Sequence, residues 1–149
     1  MPLNRDFVGR TYESSAPYEV SRVKISEFAT AIGDSNPIYH DRQAAVAAGH
    51  PDVVAPPTFP IVFSLLGTGD ALGDPGLGLN FAMVVHGEQR FEYERPIHAG
   101  DELVCKSTIA EIRSVGRNEF LTLRSDVSTT SGELVCRTYN VIVERGGAA

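Results

Sequence analysis

A short stretch in the first third of the chain concentrates side chains that can move protons. Asp34 and Asp41 flank Tyr39 and His40, with Asn36 between them. A carboxylate can take a proton and an imidazole can give or hold one, which is what general acid–base catalysis requires. A tyrosine can donate a hydrogen bond, but its ordinary pKa of about 10 suits it poorly to proton transfer at neutral pH. Asp34, His40 and Tyr39 are therefore candidates for proton transfer, although an aspartate at such a place, taken alone, is more typical of a helix end or turn.

The flanking sequence predicts that these residues occupy a rigid loop between two helices. Apolar residues recur at the spacing of one helical face, at Ile25, Phe28, Ala29 and Ile32. Ser21 is placed to cap the start of this helix, and Gly33 to end it in a left-handed turn. Pro37 disfavours helical geometry at the residue before it. Asp41 then caps a predicted second helix over 42–48.

A central helix is predicted further along the chain. The extended run 55–60 contains three prolines and precedes the almost wholly apolar segment 61–66. Its length and its bracketing by Pro60 and Gly67 favour a buried helix over a strand. Residues 67–80 contain five glycines and are predicted to form a long loop.

Nearly everything after this loop alternates as strands do. Four strands are predicted, over 81–93, 102–113, 120–128 and 133–144. Helices come first and strands follow, which is the order of the α+β class. We expect one domain over 1–149, with a curved antiparallel sheet around one buried helix.

Composition excludes several classes of function. A formal charge of −6 argues against a nucleic-acid partner, and no apolar run approaches the roughly 20 residues of a membrane span. The N-terminus lacks the apolar region of a signal peptide, so a cytoplasmic location is expected. Two cysteines and four histidines show no zinc-type spacing. Neither a metal nor another cofactor is predicted.

Two other families are excluded by the residues they would need. Gly33-Asp34-Ser35 could be mistaken for an esterase nucleophile block, but no histidine follows His98 to act as its base. Gly67 to Gly73 could be mistaken for a dinucleotide-binding loop, but no βαβ unit with a downstream acidic residue accompanies it.

Residues 33–41 resemble the signature G-D-x-N-P-[IVL]-H-x-D of the MaoC-like (R)-specific enoyl hydratases and dehydratases. A second stretch is similar to that family's pattern Q-x-F-x-x-P-[IV]-x-x-G-D-x-L. Its approximate matches are Gln89, Phe91, Pro96, Ile97, Gly100, Asp101 and Leu103. The resemblance implies a hot-dog fold, which is a long helix wrapped by five or six antiparallel strands and usually paired with a second hot dog.

The resemblance also implies roles for individual residues. Asp34 matches the catalytic aspartate and Asn36 the asparagine that braces the loop, while Tyr39 stands where the family has its catalytic histidine. His40 follows one position later, and adjacent side chains in an extended segment point to opposite sides. A backbone N–H near the start of the central helix is the candidate for polarising a thioester carbonyl. The implied substrate-binding residues are Asn36, Pro57, Thr58 and Phe59.

Within this family the chain looks most like the subunit of heterodimeric (3R)-hydroxyacyl-ACP dehydratases that carries tyrosine in place of the histidine. This implies an acyl-ACP or acyl-CoA substrate and a partner hot dog that supplies aspartate and histidine, while this chain shapes the acyl channel. Two alternatives remain open at this point. One is a self-sufficient homodimeric hydratase that uses Asp34 with His40, and the other is a non-catalytic acyl-binding protein. A hot-dog thioesterase is disfavoured, because the aspartate signature belongs to the hydratases.

Overall fold

The computed structural model describes residues 2–13 and 16–148. Within them the helices are α1 (Arg22–Ala31), α2 (Arg42–Ala47) and α3 (Ile61–Leu72). The strands are β1 (Thr11–Glu13), β2 (Tyr18–Glu19), β3 (Val84–Tyr93), β4 (Glu102–Val115), β5 (Asn118–Thr129) and β6 (Leu134–Glu144). Short 3-10 helices lie at Arg5–Phe7, Pro37–Tyr39 and Phe81–Met83.

The six strands form one antiparallel sheet in the order β1-β4-β5-β6-β3, with β2 also paired to β4. The long hairpins β4–β5 and β5–β6 form its centre, and α3 packs against β4, β5 and β1. The predicted α+β class and the antiparallel sheet around a central helix are therefore confirmed. Strand β3 pairs with β6 on one side only, so it forms an edge of the sheet.

The predicted loop over 67–80 is wrong at its beginning, because α3 continues to Leu72. Each glycine in a helix interior costs about 1 kcal/mol relative to alanine. That cost explains why Gly67 and Gly69 suggest a loop. Burial of the apolar faces of α3 against the sheet offsets it. The predicted first residues of β3 are likewise a 3-10 turn, Phe81–Met83.

Two apolar clusters fill the space between the helices and the sheet. The first cluster includes Ile25, Tyr39, Phe59, Phe63, Cys105, Val127 and Cys136. The second cluster includes Leu3, Phe7, Ala71, Leu77, Ile109, Leu121, Leu123 and Ile142. Helix α3 contributes Phe63 to the first and Ala71 to the second, so it spans both clusters and joins the two ends of the molecule.

The N-terminal segment is held at the second cluster by one buried carboxylate. Glu119 accepts hydrogen bonds from the Leu3 amide at 3.1 Å, from the Ser114 hydroxyl and from two guanidinium nitrogens of Arg5. The Glu119 side chain is fully buried. Chiefly because of the Arg5 hydrogen bond, the pKa of Glu119 falls to about 2.

We predict that Glu119 makes folding stability depend on acidity. Its pKa in the folded chain is about 2, against an ordinary 4.5. The ionised form therefore contributes fully above pH 4.5, and its contribution disappears as the pH falls toward 2. Glu119→Gln should lower the free energy of unfolding by about 2 kcal/mol at neutral pH, with a difference that vanishes in acid. Urea unfolding across this pH range measures it.

Glu111→Gln is the matched control, since Glu111 is an exposed glutamate paired with Arg113 at 3.5 Å. An exposed pair of this kind contributes about 0–1 kcal/mol. Equal effects of the two substitutions, or an effect of Glu119→Gln that does not change with pH, would contradict the assignment.

Candidate active site

The candidate catalytic segment begins where α1 ends. The Asp34 N–H donates to the Ala29 carbonyl at 2.8 Å, and the Gly33 N–H donates to the Thr30 carbonyl at 3.0 Å. This pair of bonds is a Schellman cap, and it needs a left-handed residue at its centre. Gly33 supplies this conformation with φ of +75°, as the sequence predicts. The direction in which Asp34 leaves the helix is thereby set.

A succession of side-chain caps makes the segment rigid. The Asp34 carboxylate accepts from the Asn36 N–H at 3.0 Å, and the Asn36 side-chain oxygen accepts from the Ile38 N–H at 3.2 Å. Asp41 caps α2 by accepting from the Gln43 N–H at 2.9 Å. The predicted bracing by Asn36 and capping by Asp41 are both observed. They satisfy backbone donors that the turns leave free.

Tyr39 points into the molecule. Its side chain is only 9% exposed and belongs to the first apolar cluster. Burial raises the pKa of Tyr39, and the nearby Asp34 carboxylate raises it further. At neutral pH the phenol therefore stays protonated, and it can donate a hydrogen bond but cannot act as a base.

His40 points the other way and lies on the surface. Its Nδ1 is 2.7 Å from the Ser26 hydroxyl, and its Nε2 is 3.1 Å from the backbone carbonyl of Asp34. A carbonyl oxygen can only accept, so Nε2 carries the proton and Nδ1 accepts from Ser26 in the neutral ring. The ring thus joins α1 to the loop through Asp34's backbone rather than its carboxylate. Asp34 and His40 line an open cleft of about 360 Å³ with Thr30, Gly33 and Ser35.

The approach to α3 carries the proposed substrate-binding residues. Pro57 and Thr58 are exposed, whereas Phe59 is fully buried against Phe28 and Phe63, with ring centroids 5.5 and 6.2 Å away. The Thr58 carbonyl accepts from the Ile61 N–H, while the Thr58 N–H has no acceptor within the described ranges. A free amide just before a helix is suited to an oxyanion or polarised carbonyl.

Tyr93 holds this approach in place, and the sequence analysis did not identify it. Its hydroxyl donates to the Pro57 carbonyl at 2.7 Å, and burial raises its pKa. A cleft of about 390 Å³ lies here, lined by Ala55, Pro57, Tyr93, Glu94, Arg95 and Pro96. Tyr93 ends a predicted strand and directly precedes a turn, but no local pattern indicates its long-range acceptor.

A guanidinium–carboxylate pair anchors the turn beside this cleft. Both terminal nitrogens of Arg95 donate to Asp101 at 2.9 Å, and the His98 N–H adds a third bond at 3.0 Å. Burial opposes ionisation of Asp101 most strongly, yet these bonds together hold its pKa below the ordinary value. This turn is also bonded to the segment before α3, because the Ala55 N–H donates to the Ile97 carbonyl at 2.8 Å.

The candidate residues fall into two groups in this chain. Asp34 and His40 share one cleft, while Pro57 lines another that contains neither of them. Tyr39 and Phe59 line neither cleft and belong to the first apolar cluster. Among residues 2–13 and 16–148, no three metal-binding side chains come together. In the same part of the chain, no helix is long and apolar enough to cross a membrane.

We predict that Tyr93→Phe loosens the start of α3 without disturbing the sheet. The loss of its hydrogen bond should lower the free energy of unfolding by about 1 kcal/mol. Hydrogen exchange of the Phe59 amide, which donates to the Pro56 carbonyl at 2.9 Å, should speed up. Tyr139→Phe is the matched control, since its ring stacks under Arg90 on β3 and its hydroxyl has no partner within the described ranges. Equal protection of the Phe59 amide in both variants would contradict the anchoring role.

Comparisons with known proteins place this geometry in a family. A family model described as the FAS1-like dehydratase domain region matches residues 6–138. A UPF0336 protein of Thermobifida fusca is 54% identical over 148 residues, covering 99% of this chain and 97% of the relative.

Solved structures agree with this assignment. The HadBC (3R-hydroxyacyl-ACP dehydratase) complex of Mycobacterium tuberculosis contains a chain with a TM-score of 0.85 and 25% identity, covering 95% of this chain and 99% of that one. A MaoC-like dehydratase has a TM-score of 0.83 and 30% identity, covering 93% of this chain but 42% of that one. The chain therefore belongs to the FAS1-like dehydratase family and has the hot-dog fold of the MaoC-like dehydratases.

Proposed function

We propose that this chain is one subunit of a (3R)-hydroxyacyl-thioester dehydratase, which also runs in reverse as an (R)-specific enoyl hydratase. A partner hot dog supplies the catalytic aspartate and histidine, and this chain shapes the acyl channel. The observation that carries the proposal is Tyr39, which occupies the family's histidine position as a buried phenol beside Asp34. Acyl-ACP or acyl-CoA in the cytoplasm is the proposed substrate.

The chemistry needs a proton acceptor and a proton donor at one water molecule. Dehydration removes a proton from the carbon next to the thioester carbonyl and protonates the leaving hydroxyl. A carboxylate and an imidazole together can do both at neutral pH. Tyr39 cannot replace the imidazole, because its raised pKa keeps it from exchanging protons with substrate.

His40 is a poor substitute because of where its ring lies. Both nitrogens are engaged, one with Ser26 and one with the Asp34 carbonyl. To exchange a proton beside the Asp34 carboxylate, the imidazole ring would have to break both hydrogen bonds and reorient relative to the loop. This arrangement favours an incomplete site in the lone chain over the self-sufficient alternative.

The free edge of the sheet supports a partner chain. Strand β3 is ten residues long and has no partner strand on its outer side among the described residues, and its Val85, Arg90 and Glu92 are exposed. Long exposed edges invite pairing with another strand. A bulge at Gly87 shapes this edge, and an added Cβ there would approach the Val143 side chain to 2.9 Å. The similar chain belongs to the HadBC complex, so it too works beside another chain in this proposal.

We predict that the purified chain alone does not hydrate a crotonyl thioester. Addition of a hot-dog subunit with an intact Asp–His signature should bring activity above that of either protein alone. Absorbance of the enoyl thioester measures turnover, and size-exclusion chromatography measures the complex. Turnover by the lone chain would contradict the division of labour.

We predict further that Asp34→Asn in this chain changes the rate of the assembled enzyme by less than about threefold. The amide oxygen can still accept from the Asn36 N–H, so the loop should keep its shape. The same substitution in the partner's signature should lower the rate by at least a hundredfold, since general acid–base groups contribute about 10²–10⁴. A hundredfold loss from Asp34→Asn here would instead place catalysis on this chain.

A further inference from the structure

A belt of buried polar side chains crosses the interior between the two apolar clusters. On the sheet, the belt consists of the buried Ser107, Ser125, Thr138 and Asn140, together with the half-buried Gln89, whose amide atoms are out of contact with solvent. In β5, Ser125 lies between Leu123 of the second cluster and Val127 of the first. Helix α3 repeats the pattern, with buried Ser64 and Thr68 between Phe63 and Ala71. On the sheet and on helix α3 alike, small polar side chains therefore separate the residues of the first apolar cluster from those of the second.

Two members of this belt have side-chain amides without a hydrogen-bond partner among the described residues. Gln89 and Asn140 lie directly opposite each other on β3 and β6, on the same face as the buried Leu123. The side-chain oxygen and nitrogen of each are out of contact with solvent and unbonded in the described part of the chain. Buried polar atoms are nearly always paired, so four orphans at one point need an explanation. By contrast, Ser107 and Ser125 bond each other at 2.9 Å.

The chemistry of the orphans limits what can satisfy them. Both amides are neutral and offer acceptors and donors side by side, so the matching group must also donate and accept. An ion would be buried without a countercharge, which is costly. A carbonyl only accepts, and a methylene does neither. A hydroxyl fits both amides, and so does a water molecule.

The position of the belt indicates which hydroxyl this is. An acyl chain lying along α3 would contact the first apolar cluster, then the belt, then the second cluster. The hydroxyl that is eliminated must lie at the partner's catalytic groups. A hydroxyl at the belt would therefore be a different one, attached farther along the acyl chain. Building on the function proposed above, we propose that Gln89 and Asn140 form an internal subsite that binds a second hydroxyl on the acyl chain.

The subsite has a consequence for stability that a structural role would not have. Without a ligand, burial of four unpaired atoms destabilises the folded chain. Gln89→Leu or Asn140→Leu removes two of them with little change in the number of side-chain heavy atoms, so each should raise Tm, by about 3 °C. The exposed Gln43→Leu is the matched control and should leave Tm unchanged. A fall in Tm on both belt substitutions would overturn the subsite.

Binding measurements test directly whether the subsite recognises a hydroxyl on the acyl chain. A long-chain acyl thioester and a series of its counterparts with one hydroxyl at successive mid-chain positions are titrated calorimetrically into the assembled complex. One position should bind about tenfold tighter than the plain chain, and Gln89→Leu and Asn140→Leu should each abolish that preference while leaving plain-chain affinity unchanged. Gln43→Leu should retain the preference.

The remaining outcomes separate this inference from the proposed function. Equal affinity for all the chains, with or without the belt amides, would mean that the site holds only a buried water and would overturn the inference. Failure of the complex to bind any acyl chain would instead refute the proposed function, and the inference with it. Loss of plain-chain affinity in the belt variants would also overturn it, since the amides would then serve packing.

Discussion

Burial of α3 against the sheet is the constraint on which the rest of the structure depends. The helix contributes to both apolar clusters, so the two ends of the molecule are joined through it. Its packing offsets the cost of glycines in the helix interior. Phe59, at its approach, contacts Phe28 of α1, and α1 in turn carries the signature loop. The positions of Asp34 and Tyr39 therefore follow from how α3 is buried.

The molecule combines carboxylates that have several hydrogen-bond partners with two side-chain amides that have none within the described residues. Glu119, Asp101 and Asp52 each hold one or two arginines and accept at least one backbone N–H. The side-chain amides of Gln89 and Asn140 have no hydrogen-bond partner among the residues that the structure describes. Proteins retain such costs mainly where function requires them. The carboxylate pairs secure the N-terminal segment and the turns, while the polar belt lies where the proposed acyl chain would run.

Local patterns predicted the elements that depend on near neighbours. The Ser21 cap, the Gly33 turn and the Asp41 cap involve atoms within five residues of one another, and all three are observed. The extent of α3 was underestimated, because glycine propensity is local while the burial that overrides it is not. The short β1 was missed, since three residues hold too little periodicity. Tyr93 was missed because its acceptor, Pro57, lies 36 residues away.

The sequence by itself determined the family, through the joint spacing of its glycines, prolines and acidic residues, and it placed tyrosine where that family has histidine. It also determined the class of fold, since helical and strand periods are properties of neighbouring residues. Only the tertiary structure decided that Tyr39 is buried and that His40 is hydrogen-bonded on the surface. It also decided that the side-chain amides of Gln89 and Asn140 lie opposite each other without hydrogen-bond partners in the described part of the chain. Those facts depend on strand register and on which face packs against α3, and contacts between distant parts of the chain set both.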